Sequence, residues 1–133
     1  MRLIFCVDKK NGMMFNGRRQ SQDKILRSKM LEHIADSVLW MSKYSAKQFV
    51  EGGTFKIDDD YMTKAAEYDY CFIEDGEYDI SKCNEILLFK WNRDYPADRF
   101  LEGDLKELGF KKNATEEFAG SSHKKITLEI YTK

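Results

Sequence analysis

Asp23 is the residue with the most chemistry to offer. It follows the basic stretch Arg18-Arg19-Gln20-Ser21-Gln22 and opens a segment with helical apolar spacing. Burial against Met14, Phe15 and Ile25 would push its carboxyl up in pKa, fitting it to donate a proton or anchor a substrate. The plainer alternative is a first-turn carboxylate that complements a helix dipole. Ser42-Lys43-Tyr44-Ser45 is a second candidate, because free N–H groups at a helix start attract phosphate and Lys43 adds positive charge. A serine N-cap accounts for the same residues without any ligand. Arg18, Arg19, Lys24 and Arg27 form a basic cluster suited to an acidic ligand, an acidic partner or RNA, or else simply solvated. Gly120-Ser121-Ser122-His123 sets hydroxyls beside a histidine. No carboxylate stands at a recognisable spacing to complete a nucleophilic site, so a polar hairpin loop is expected there.

These residues need a scaffold, and the composition supplies one. Of 133 residues, 42% are hydrophobic and 14% aromatic, which excludes a disordered chain. A chain of this size buries roughly two-thirds of its unfolded surface, enough for one self-sufficient domain over residues 1–133. Basic and acidic residues nearly cancel, 22 against 23, so a general nucleic-acid footprint is absent. The apolar runs Leu3–Val7 and Ile86–Phe89 fall far short of the ~20 residues of a membrane-spanning helix. With no cleavage site after the first run, a cytoplasmic location is the expectation. Cys6, Cys71 and Cys83 are an odd set without CxxC spacing and read as free, buried thiols.

Elements follow from periodicity. Arg2–Val7 reads as a buried strand, Met13–Gln22 as a loop, and the segment from Asp23 through Ile25, Leu26, Met30, Leu31 and Ile34 as an amphipathic helix. Ser37–Met41 is a second strand, followed by a short helix carrying Ala46, Phe49 and Val50. Phe55–Ile57 is a short strand, and Asp58-Asp59-Asp60 opens another helix. Tyr70–Ile73 and Glu85–Trp91 are further strands, the latter covered on both faces. Phe110–Phe118 and Lys125–Tyr131 alternate more openly and should pair as an antiparallel hairpin. The expected fold is an α/β sandwich whose mostly parallel sheet carries an antiparallel edge.

The order of these segments resembles dihydrofolate reductase. The carriers are Leu3–Asp8 with Asn11-Gly12-Met13-Met14-Phe15, Val38–Ser45, and the closing run Glu85–Phe89, Asp94–Arg99, Leu105–Phe118 and Ile126–Tyr131. The resemblance implies a three-layer sandwich, Asp23 as the single catalytic carboxylate, and cofactor phosphate held at the Ser42–Ser45 turn. Departures accompany it. The Pro-Trp pair expected after the first loop is missing, and Ile73-Glu74-Asp75-Gly76 replaces the Gly-Gly pair that lets cofactor backbone approach. Phe89 stands where a threonine is expected, and the stretch between Gly53 and Tyr70 is too short for the strand at the cofactor's adenosine end. Small proteins like this one are sometimes called ribonuclease Z, but that enzyme's His-x-His-x-Asp-His motif is absent. His33 and His123 cannot build a dinuclear zinc site, so no metal is expected.

Three functions are therefore weighed. A diverged domain would use Met14, Phe15, Arg18, Arg19, Ser42, Lys43, Tyr44 and Ser45 around a cleft for a small acidic ligand or a protein partner, with no cofactor. An NADPH-dependent reductase of a pterin-like substrate would set Asp23 under the ring and Lys43 and Ser45 at the phosphates. RNA binding through the basic loop ranks last, given the near-neutral charge.

Overall fold

The computed structural model describes all 133 residues. β1 (Arg2–Val7) lies inside a seven-stranded sheet, flanked by β6 (Tyr70–Phe72) and β7 (Glu85–Lys90), both parallel to it. Beyond β6 lie β4 (Leu39–Met41) and β5 (Lys56–Ile57), also parallel. Beyond β7 lie β10 (Ile126–Thr132) and β9 (Lys111–Phe118), both antiparallel to their neighbours. This is the mostly parallel sheet with an antiparallel C-terminal hairpin that the runs and alternation imply.

Both faces of the sheet are covered. On one side α1 (Lys24–Ile34) packs Leu26, Met30 and Ile34 against Ile4, Phe72, Leu87, Phe89, Trp91 and Leu128. On the other, Leu3, Phe5, Ile86 and Leu88 meet Met13, Met14, Tyr61, Leu101 and Phe110. Consecutive apolar residues in β1 and β7 alternate between these two cores, the physical reason such strands read as unbroken apolar runs. α3 (Tyr61–Lys64) and a short 3-10 turn, Ile80–Lys82, lie over the second core.

Three expectations need correction. Met13–Gln22 is not a loop: β2 (Gly12–Phe15) and β3 (Arg18–Arg19) form a hairpin, joined to β8 (Arg99–Phe100) in a second small sheet. Its two turn residues, Asn16 and Gly17, both have positive φ, as a tight primed turn requires. The helix after Ser42 is shorter than expected. α2 (Lys43–Ala46) is a single turn, and only Phe49 of the following pair reaches the core, while Val50 is exposed. β9 does not bury a face either: it is an outer strand, exposed along nearly its whole length, and its charges mark a protected edge.

Candidate functional site

The parallel strands all end at one edge of the sheet, the side where open α/β sheets place their ligands. Asp8 follows β1 there, Ser42 follows β4, Glu74 follows β6, and Trp91 follows β7. The N-terminus of α1 and the 119–125 turn between β9 and β10 join them. Three carboxylates organise this edge.

Asp23 is the N-cap of α1, its Oδ1 accepting from the backbone N–H groups of Ile25 (2.9 Å) and Leu26 (3.1 Å). The hairpin turn closes over it. Ser121 N–H reaches Oδ1 at 3.0 Å, Ser122 N–H reaches Oδ2 at 2.9 Å, and His123 Nδ1 lies 2.9 Å from Oδ2. Gly120 permits this approach, since a Cβ there would stand 2.9 Å from the Asp23 carboxyl carbon. Burial alone would raise the pKa of Asp23. Donors from His123, Ser122, Ser121 and Leu26 outweigh it and hold the carboxyl well below the usual carboxylate range. The expected upward shift is thus reversed, because the carboxylate is enclosed by donors rather than by apolar groups. Phe15 and Ile25 are exposed instead of walling it in.

An ionised Asp23 fixes the histidine tautomer. Nδ1 must carry a proton to donate to the carboxylate, leaving Nε2 as an acceptor in the neutral ring. Ser21 Oγ lies 2.9 Å from Nε2, and the Tyr95 hydroxyl lies 3.3 Å from it. Trp91 stacks on the imidazole at 4.6 Å between ring centroids. The histidine expected to lack a carboxylate partner has one, 100 residues away in sequence.

Glu74 is the second hub. Arg19 clamps it with two bonds, Nε to Oε2 at 3.0 Å and a terminal nitrogen to Oε1 at 3.2 Å. Ser45 Oγ and Gln48 Nε2 donate to the same Oε1 at 2.8 and 2.9 Å. The Arg19 guanidinium lies over the Tyr44 ring, and Tyr44 Oη accepts from the Arg19 backbone N–H at 2.8 Å. Ser42 caps α2 by accepting from Ser45 N–H, and its hydroxyl donates to Asp75 at 2.7 Å. Lys43 N–H donates to Asp59 at 3.0 Å.

Asp8 is the third. It accepts from Lys10 N–H, Gly12 N–H, Tyr95 N–H and the Gln20 side chain, which together overcome burial and lower its pKa.

The basic residues do not make one unopposed rim. Arg19 belongs to Glu74, and Arg27 is paired with Glu51 at 2.7 Å, whereas Arg18 makes no ion pair. Beside Arg18 opens a cavity of about 320 Å3, lined by Phe15, Asn16, Arg18, Arg19, Gln20, Tyr95 and Pro96. Met14 is buried beneath the hairpin. Among the thiols, Cys71 and Cys83 are buried and free, while Cys6 is only partly covered. Burial pushes the Cys71 thiol up to about 12.

Neither a family model nor a curated protein matches the sequence. Among solved structures, a dihydrofolate reductase from Enterococcus faecalis in complex with NADP(H) and RAB-propyl superposes with a TM-score of 0.67. The match covers 98% of this chain and 94% of that one, at 12% identity. The chain has the dihydrofolate reductase fold. Within it, Asp23 sits at the first-helix position that the sequence resemblance marks, but closed in by the 120–123 turn. β5 is the outer strand of the sheet, beside β4.

Asp23 and Glu74 were singled out in the sequence, yet most of their partners were not. The pairings of His123 with Asp23 and with Ser21 carried no local signal, because they join residues 100 and 102 positions apart. Asp8 was read only as part of a turn, although its Lys10 and Gly12 contacts are local. No helix is long and apolar enough to cross a membrane.

Proposed function

We propose that this domain with the dihydrofolate reductase fold does not reduce a substrate, and instead binds a small anionic ligand beside the β2–β3 hairpin. One observation carries the first half: carboxylates occupy the edge where the fold's cofactor phosphates are expected. Lys43 N–H is taken by Asp59, Ser45 N–H by Ser42, and the two serine hydroxyls by Asp75 and Glu74. Gly76 offers no free cradle either, since a Cβ there would meet the Tyr61 ring at 2.8 Å. A dinucleotide would find these four donors engaged and negative charge beside its pyrophosphate, with the Lys43 ammonium alone left to oppose it. NADP(H) therefore does not fit these residues.

The ligand half rests on the 320 Å3 cavity, which suits a small molecule better than a protein surface, and on Arg18, the cation on its wall without an acidic partner. Phe15, Tyr95 and Pro96 supply apolar contact. The rival reading, an NADPH-dependent reductase of a pterin-like substrate, draws on the fold neighbour's complex with NADP(H).

Titration followed by tryptophan fluorescence separates the two. NADPH should bind no tighter than about millimolar, near −4 kcal/mol, while small carboxylates and phosphate esters should compete for one site that Arg18→Glu abolishes. Micromolar NADPH binding would restore the reductase reading. Anion binding indifferent to Arg18→Glu would remove the ligand site.

A further inference from the structure

The Asp23–His123 pair fastens the 120–123 turn to α1, and that fastening is complete without Ser21. Ser21 is nevertheless set with its hydroxyl 2.9 Å from the one imidazole nitrogen the carboxylate leaves open. The order is Asp23 Oδ2, then His123 Nδ1 and Nε2, then Ser21 Oγ, with both links at 2.9 Å. Exposure grades along the same line. Asp23 is 2% exposed and His123 7%, whereas Ser21 is partly open to solvent. The carboxylate and the base are enclosed, and the serine is the member of the line nearest solvent.

We propose that Ser21 is a nucleophile activated by His123 and oriented through Asp23, and that the site hydrolyses small carboxylic esters. Triads of this kind are recognised by geometry and roles rather than by chain order or fold, so the spacing of residues 21, 23 and 123 is no obstacle. The other hydroxyls on the turn do not serve. Ser122 Oγ lies 3.4 Å from Nδ1, on the carboxylate side of the ring, and Ser121 Oγ accepts from Lys24 N–H. The Trp91 stack and the Tyr95 hydroxyl hold the ring in place. Next to the nucleophile, the backbone N–H groups of Ser21 and Gln22 donate to no acceptor in the chain, which leaves them free to bond a developing oxyanion. Tyr95 and Gln20 also wall the 320 Å3 cavity, which gives an acyl or alcohol group room beside the site.

The chemistry balances with water alone. Ser21 Oγ adds to the ester carbonyl carbon as its proton passes to His123 Nε2. The tetrahedral adduct breaks its bond to the alcohol oxygen, which leaves with that proton, and the acyl group stays on Ser21 Oγ. Water then adds to the acyl carbon with His123 again taking the proton, and the carboxylic acid departs as Ser21 recovers its hydrogen. Asp23 stays ionised throughout and acts by positioning the ring.

The test uses the full chain with two uncharged probes, diisopropyl fluorophosphate and p-nitrophenyl acetate, so it does not depend on the anionic ligand proposed above. The fluorophosphate should leave one adduct per chain, mapped by peptide mass spectrometry to Ser21. p-Nitrophenyl acetate hydrolysis should fall roughly 100-fold or more in Ser21→Ala, with an unchanged melting temperature because the clamp does not use that hydroxyl. Ser28→Ala, an exposed serine on α1, should match the wild type in both assays. His123→Gln should abolish adduct formation. If that variant fails to fold, Ser21→Ala and the adduct position still decide. No adduct, an adduct on another residue, or hydrolysis undiminished in Ser21→Ala would each overturn the proposal.

Discussion

At the level of single residues, the Asp23 carboxylate explains more of this edge than any other group. It accepts from two helix N–H groups, two turn N–H groups and one imidazole. Hydrogen bonds to a charged group contribute about 1.5–3 kcal/mol each when a partner is removed. Asp23→Ala should therefore destabilise the chain by at least ~3 kcal/mol in urea unfolding at pH 7. Gly120→Ala tests the same contact from the other side. A Cβ pressed against the carboxyl must push the turn away, so a loss of roughly 1–3 kcal/mol is expected. A variant as stable as the wild type would show that the turn does not close on Asp23. The sequence marked Asp23 as special and missed why. Its position before an apolar-periodic helix was legible, but the donors that add most to its ionisation come from residues 121–123, and no local pattern connects them.

At the level of elements, the β2–β3 hairpin shows what a polar stretch can conceal. Arg18 and Arg19 sit in a strand of only two residues, too short to betray a period of two. The signal that could have found it was Asn16-Gly17, a dipeptide suited to a primed turn. Both residues have positive φ, so Gly17→Ala should cost about 1 kcal/mol although nothing crowds the site. The two arginines should differ sharply. Arg18→Glu removes an unpaired surface cation and should change stability by no more than ~0.5 kcal/mol. Arg19→Glu places a carboxylate against buried Glu74 and removes the guanidinium that clamps it, which should cost on the order of 3–5 kcal/mol. Equal melting temperatures for the two variants would mean that the Glu74 hub is not held by Arg19. Strand pairing was easier to read than the hairpin. Consecutive apolar runs in β1 and β7 reported two covered faces, and the openly alternating tail reported an antiparallel pair.

At the scale of the whole molecule, negative charge has been drawn inward and tied to donors, and this sets how the fold responds to acid. Asp8, Asp23 and Glu129 are all buried, and all three have pKa values lowered by hydrogen bonds that outweigh desolvation. Glu129 is held by Lys90, Tyr131 and Lys112. In the unfolded chain these groups would titrate near the ordinary carboxylate values of about 4. Because the folded values lie lower, the unfolded state binds protons first as pH falls. The stability these groups contribute is therefore fully present above about pH 5 and is lost progressively as the pH drops through the unfolded and then the folded values. Denaturant midpoints measured from pH 6 down to pH 2.5 should decline steeply below about pH 4.5. Asp23→Asn removes one of these linked groups, so the gap between its stability and the wild type's should be widest at neutral pH and narrow toward pH 2.5. A gap that stays constant across this range would mean that Asp23 has the same proton affinity in both states, and that the donors around it do not hold a carboxylate.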